Sequence, residues 1–140
     1  MRLRVAVSVA VLLIVAIVGV RRCIRLAVYS HTCLAPEGES FRVESDDGEF
    51  AAALTWRNWG GLGLEYRVDL VNVNTAEWYA VYLPRRYWEV DFEWRSKTVL
   101  VIKDPGATAA DPGIVLRRSV QFGRSDVRFE FDPPHVADFR

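Results

Sequence analysis

Glu89, Asp91 and Glu93 stand two positions apart in this 140-residue chain, three carboxylates that would share one strand face and could do chemistry. On a strand, side chains two apart share a face and lie roughly 6.5–7 Å from each other. That separation suits a cation between oxygens, or an acid/base pair. The competing reading is the solvated face of an amphipathic strand, and it is the stronger one. A calcium site draws its oxygens from a loop that wraps the ion, which a straight strand cannot do alone. Five Trp fall between positions 56 and 94, and flat indole faces can stack on sugar rings. Trp56, Trp88 and Trp94 fit an inward strand face, so core packing accounts for them better. Trp59, in a turn, and Trp78 are left as candidate contact residues for a ligand, a partner or a membrane surface.

The other reactive types are sparse. His31 and His135 lie in no nucleophile motif beside a Ser or Cys. Two Cys and two His fall short of the four spaced ligands of a structural zinc site, and no metal or cofactor is expected. Cys23 and Cys33 could pair in an oxidising compartment and close a short loop, stabilising by roughly 2–4 kcal/mol. The alternative is two free thiols. Asn58-Trp59-Gly60-Gly61-Leu62-Gly63 is glycine-rich, but no Gly-Lys-Ser/Thr follows and the next segment reads as a strand, so phosphate binding is not expected. The doublets Arg85-Arg86 and Arg117-Arg118 read as solubilising or ion-pairing residues. No catalytic motif is found, and no enzyme activity is expected.

Charge separates the chain into two parts. Eighteen basic residues balance eighteen acidic ones overall. Residues 1–25 hold five Arg and no acid, which leaves thirteen basic against eighteen acidic side chains beyond them. A net acidic body without a basic run argues against nucleic-acid binding. Behind Met1-Arg2-Leu3-Arg4, sixteen residues from Val5 to Val20 carry no charge, and Arg21-Arg22 closes the run. As a helix they would span ~24 Å, somewhat short of a ~30 Å hydrocarbon core, a gap that flanking Arg side chains can close by snorkelling. Three readings compete: an uncleaved membrane anchor, a cleaved signal peptide, and a buried helix. No small-residue cleavage box follows, and the run is apolar all round, so one N-terminal transmembrane helix is preferred. The flanking positive charges tie. The C-terminal domain is placed outside the cytoplasm as the commoner architecture for a short N-terminal anchor ahead of a small β domain. The organisation expected is an anchor over 1–25, a connector over 26–39, a β domain over 40–132 and a loose tail over 133–140.

The elements that would position any site are strands. Phe41 and Val43 alternate before Asp46-Asp47-Gly48, a hairpin signal. Phe50, Ala52, Leu54 and Trp56 then share a face, and the small Ala51 and Ala53 opposite leave room for close packing. Over Leu62–Val73, Leu62, Leu64, Tyr66, Val68 and Leu70 point one way and Glu65, Arg67 and Asp69 the other, a face expected to be solvated. Strands follow at Glu77–Leu83, Trp88–Trp94, Thr98–Ile102, Ile114–Phe122 and Val127–Phe131. The row Trp88, Val90, Phe92 and Trp94, beside Val99 and Val101, is expected at the centre of the core. Seven or eight short strands without helical periodicity predict an all-β fold, an antiparallel meander or sandwich.

Ser45-Asp46-Asp47-Gly48-Glu49-Phe50, followed by Val90-x-Phe92-x-Trp94 and Thr98-Val99-Leu100-Val101-Ile102, resembles a pattern of uncharacterised bacterial membrane-anchored or lipoprotein families. The same pattern occurs in single β-propeller blades. The resemblance covers residues 43–103 and implies one small β domain beyond a membrane anchor, with no activity to carry over. The function expected is therefore a single-pass, membrane-anchored extracytoplasmic binding or accessory module, attached through residues 5–20, for a protein or small-molecule partner. The alternative is a small hydrolase or carbohydrate-binding domain using Glu89, Asp91, Glu93 and an exposed Trp.

Overall fold

The computed structural model describes residues 14–19 and 34–139. The chain forms two compact units, Met1–Leu34 and Ala35–Arg140. In the first, residues 14–19 are helical with exposed Ile14, Val15, Ile17 and Val18. Among the described residues no helix is long and apolar enough to cross a membrane. The rest of the Val5–Val20 run lies outside them, as do Cys23, His31 and Cys33.

The second unit is all-β, with ten strands in two sheets. β1 (Gly38–Glu44), β2 (Phe50–Asn58), β3 (Leu64–Asn72) and β4 (Trp78–Leu83) run as an antiparallel meander. β7 (Gly113–Val115) and β10 (Val136–Asp138) complete that six-stranded sheet. The second sheet has the order β5 (Asp91–Ser96), β6 (Val99–Lys103), β9 (Ser125–Asp132) and β8 (Ser119–Phe122). Local hairpins set most pairings. At the first one Gly48 takes φ +68°, which the Asp-Gly signal anticipates. Asp47 accepts from Ser45 Oγ and the Glu49 N–H, and Lys97 Nζ reaches it at 2.9 Å. Lys97 first, then those hydrogen bonds, hold its carboxyl down at about 2.

The meander expectation fails after β6. β9 pairs parallel with β6, and β10 pairs parallel with β7. Parallel pairs need long crossovers. The chain leaving Lys103 provides one, visiting the first sheet at β7 before it returns as β8 and β9. The single strand expected over Ile114–Phe122 is thus two strands in different sheets. The break falls at Leu116 and Arg117, whose N–H groups both donate to Val81 O. The expected loose tail contains β10, secured by Phe139 N–H donating to Val115 O and by Arg118 on the Asp138 carboxylate.

Apolar faces of the two sheets make one core. Phe50, Leu70, Val81, Tyr82, Leu100 and Val127 are fully buried in it. Burial of each large apolar side chain is worth roughly 1.5–3 kcal/mol. Aromatic pairs bridge the layers: Phe41 with Phe92 at 5.0 Å, Phe50 with Phe122 at 5.3 Å, and Tyr82 with Phe131 at 5.3 Å. Trp94 is half-buried against this core, its Nε1 donating to Val43 O at 3.1 Å.

Three residue-level expectations change. Trp88 is not in the core; it is 66% exposed, in a 3-10 turn over Tyr87–Glu89. The sequence alternation runs through this turn, and the strand begins only at Asp91. Secondly, the inward row of Val90, Phe92 and Trp94 faces Ile102 and Leu100, not Val99 and Val101: Phe92 pairs with Ile102 and Trp94 with Leu100. A two-residue alternation fixes which residues share a face, and a bulge between Trp94 and Ser96 shifts the partner by one. Thirdly, Arg67 and Asp69 are not solvated. They are 5% and 1% exposed, beside Thr55 and the fully buried Ala51 and Ala53. Arg67 Nε lies 2.9 Å from Asp69 Oδ1, Thr55 Oγ1 donates to Asp69 Oδ2 at 2.9 Å, and the Trp78 ring covers the guanidinium at 4.8 Å. Burial pushes the Asp69 carboxyl up, outweighing the downward pull of Arg67 and Thr55.

Candidate functional site

β4 stops at Leu83 because Pro84 has no N–H to offer a ladder. Val68 pairs with Tyr82, so continued pairing would set Pro84 opposite Tyr66. Instead the chain turns away through Arg85 and Arg86, and the start of β3 is left facing a gap. The gap is a cleft of about 320 Å³. Leu64, Glu65 and Tyr66 form one wall, and Leu83, Pro84, Arg85, Tyr87 and Ile114 form the other. Tyr66 and Tyr87 stack across it with ring centroids 3.6 Å apart and planes within 4° of parallel. Trp88 stands edge-on to Tyr87 at 4.9 Å.

The polar groups of the cleft are already engaged by the fold. Glu65 Oε2 accepts from Trp59 Nε1 at 2.8 Å. Arg85 Nε donates to Pro112 O at 2.8 Å and lies 2.9 Å from Asp111 Oδ1. The Arg85 N–H reaches Asp104 Oδ2 at 3.3 Å, the same oxygen that accepts from Tyr82 Oη at 2.8 Å. Burial first, then Asp104, pushes the Tyr82 hydroxyl far up, so it stays a donor. Burial, then its neighbour Tyr87, also raises Tyr66. Such a cleft offers aromatic and aliphatic surface with fixed hydrogen-bonding groups behind it.

The residues singled out from sequence do not meet here. Glu89 lies in the 3-10 turn with Arg86 Nη1 at 3.6 Å. Asp91 accepts from the Phe92 N–H. Glu93 is paired with Lys103, which lowers its carboxyl. The three carboxylates are thus split between a turn and a strand, and none lines the cleft. Trp59 is half-buried, holding Glu65 from behind, with the Arg57 guanidinium 5.1 Å from its ring. Trp78 covers Arg67 instead of a pocket. His135 is exposed near the C-terminus. Among the described residues no three His, Cys, Asp or Glu side chains gather as metal ligands.

What sequence reasoning missed is the rim. Leu62 is 90% exposed and Leu64 55%, although both alternate with the inward residues of β3. Gly60 at φ +62° opens a 3-10 turn over Gly60–Leu62 and Gly63 at φ +90° follows it, which swings Leu62 out before the strand starts. The end of β4 at Leu83, before Pro84-Arg85-Arg86, falls where the sequence places it.

Comparison with family models, with curated proteins and with solved structures gives no match to this chain. The fold defines its class: a sandwich-like, two-sheet β domain.

Proposed function

We propose that this protein is a membrane-attached binding or accessory module that recognises an apolar partner at the β3–β4 cleft. The observation that carries the reading is a group of four exposed large apolar side chains: Leu64 and Tyr87 line the cleft, Trp88 abuts Tyr87, and Leu62 lies two residues before Leu64. Clustered exposed apolar side chains mark interaction surfaces, whereas scattered ones do not. Attachment is assigned to the uncharged run Val5–Val20 between Arg4 and Arg21, with the β domain outside the cytoplasm. The acidic excess beyond residue 25 supports a partner other than nucleic acid. The hydrolase or carbohydrate reading is the less favoured one: Glu89 and Glu93 are ion-paired, neither Trp59 nor Trp78 lines the cleft, and the exposed Trp88 beside it is the one feature on its side.

Membrane attachment is tested by alkaline carbonate extraction of the full chain from isolated membranes. The chain is expected to remain in the pellet, and a variant with Leu12, Leu13 and Ile14 each changed to Asp is expected in the supernatant. Recovery of the unaltered chain in the supernatant would sink the reading.

A further inference from the structure

The chain enters the β domain at the same end that carries the apolar rim. Glu37 N–H donates to Trp56 O at 3.0 Å, Arg57 Nη1 donates to Ala35 O at 2.6 Å, and Asn58 N–H donates to a Glu37 carboxylate oxygen at 3.1 Å. These contacts tie Ala35–Glu37 to the last residues of β2. The turn that follows β2 carries Leu62, and β3 opens with Leu64. Tyr87 lines the same cleft as Leu64, and Trp88 abuts Tyr87. Tether entry and exposed apolar side chains therefore share one end of the domain.

From this juxtaposition we infer that the rim seats on a lipid surface, with Leu62 and Trp88 entering the interfacial layer of the membrane. The inference rests on the membrane-attached reading of Val5–Val20, and it names the partner of the proposed recognition surface. Three features specify lipid. Fourteen residues, 21–34, lie between the apolar run and Ala35, whose carbonyl accepts from Arg57, a reach of at most roughly 50 Å, so the rim is within reach of a bilayer that holds the run. Trp and Tyr are the side chains enriched at the water–hydrocarbon boundary, where an apolar ring and a polar N–H or O–H are both served. The charged groups beside the rim are already paired internally: Arg85 with Asp111, Arg86 with Glu89, and Arg57 with Glu37 at 3.9 Å. Seating is thus driven by apolar insertion, does not need anionic headgroups, and resists salt.

The test uses the full chain reconstituted into phosphatidylcholine vesicles carrying acyl chains brominated near the headgroup. Tryptophan emission is compared with that in unbrominated vesicles, and with a Trp88→Phe variant in both. Bromine is expected to quench the unaltered chain, and the quenched component is expected to vanish in Trp88→Phe. It should persist at high salt, and a Leu62→Ser variant should reduce it. If the chain floats with the vesicles but Trp88 is quenched only by aqueous iodide, the lipid seat is overturned while attachment stands. Protection of Trp88 from both quenchers would mark a protein contact and also overturn it. A chain that does not float with the vesicles overturns both readings.

Discussion

Replacing Gly113 with alanine is expected to destabilise the β domain by roughly 3–5 kcal/mol. A Cβ at this position would overlap the Tyr82 hydroxyl and the ring carbon that bears it. Tyr82 cannot yield, because it is fully buried between the sheets and its hydroxyl donates to Asp104, itself 3% exposed. Forcing extra atoms into a packed interior costs ~1–3 kcal/mol. Losing a buried hydrogen bond to a charged group adds roughly 1.5–3 kcal/mol. Asp104 Oδ1 already has no hydrogen-bond partner among the described residues, so losing the Tyr82 donor would strip that carboxylate further. The glycine belongs to β7, the short strand that joins β4 to β10, so the damage extends to the edge of the six-stranded sheet. Denaturant unfolding of Gly113→Ala should show a lower midpoint, while Gly61→Ala, where a Cβ meets nothing within 4 Å, should stay within about 0.5 kcal/mol of the unaltered protein. Equal midpoints for the two variants would refute the packing described at Tyr82.

Phe50→Ala is expected to cost a similar ~3–5 kcal/mol, a large share of the ~5–15 kcal/mol by which a domain is usually stable. Phe50 is completely buried and stacks on Phe122 of the opposite sheet. Deleting the ring leaves a void that rigid strands on both sides cannot fill. The instructive comparison is Trp88→Ala. A core position for Trp88, as the sequence alternation suggests, would make that change as costly as Phe50→Ala. Its 66% exposure in the 3-10 turn instead limits the expected cost to about 0.5–1.5 kcal/mol, the worth of an aromatic pair such as its contact with Tyr87. Thermal or denaturant unfolding of the two variants side by side decides between the two placements of Trp88. Comparable losses would restore it to the core.

Much of the β architecture is readable from alternation. Phe50, Ala52 and Leu54 share a face with the core, as do Val68 and Leu70, and the Asp46–Gly48 turn falls where its chemistry places it. These are local signals within hairpins. The misreadings have distinct physical causes. Alternation runs back from Trp94 through Trp88, yet the turn at Tyr87–Glu89 holds the start of the strand to Asp91. Ile114 to Phe122 reads as one segment, but Leu116 and Arg117 converge on one carbonyl and the chain changes sheets there. The parallel pairing of β9 with β6, and the capture of the tail as β10, are non-local and leave no mark in short windows. Arg67 and Asp69 show a different limit. Period two separates the faces of a strand without stating which one is wet, and the Ala51–Ala53 pair was the only hint that this second face is covered.

The candidate site was less legible than the fold. Its parts come from the β2–β3 turn, the start of β3, the end of β4, the loop before β5 and Ile114 of β7, none of which carries a motif. Leu62 looks like an inward strand residue until the flanking glycines are given their positive φ. Tyr66 and Tyr87 stand twenty-one positions apart, and their stacking is a non-local contact with no mark in the sequence.

Depth profiling of two spin labels tests the central claim, that this end of the domain faces a membrane. One label replaces Leu62. The other replaces Val73, which follows the opposite end of β3, about 25–30 Å away along the strand. Each is placed in the full chain in lipid vesicles, with Cys23 and Cys33 changed to Ser. Collision with oxygen, which concentrates in hydrocarbon, is compared with collision with a water-soluble nickel complex. The label at 62 is expected to favour oxygen and the label at 73 the nickel complex. Equal, nickel-dominated exposure at both positions, or a deeper label at 73, would contradict the account.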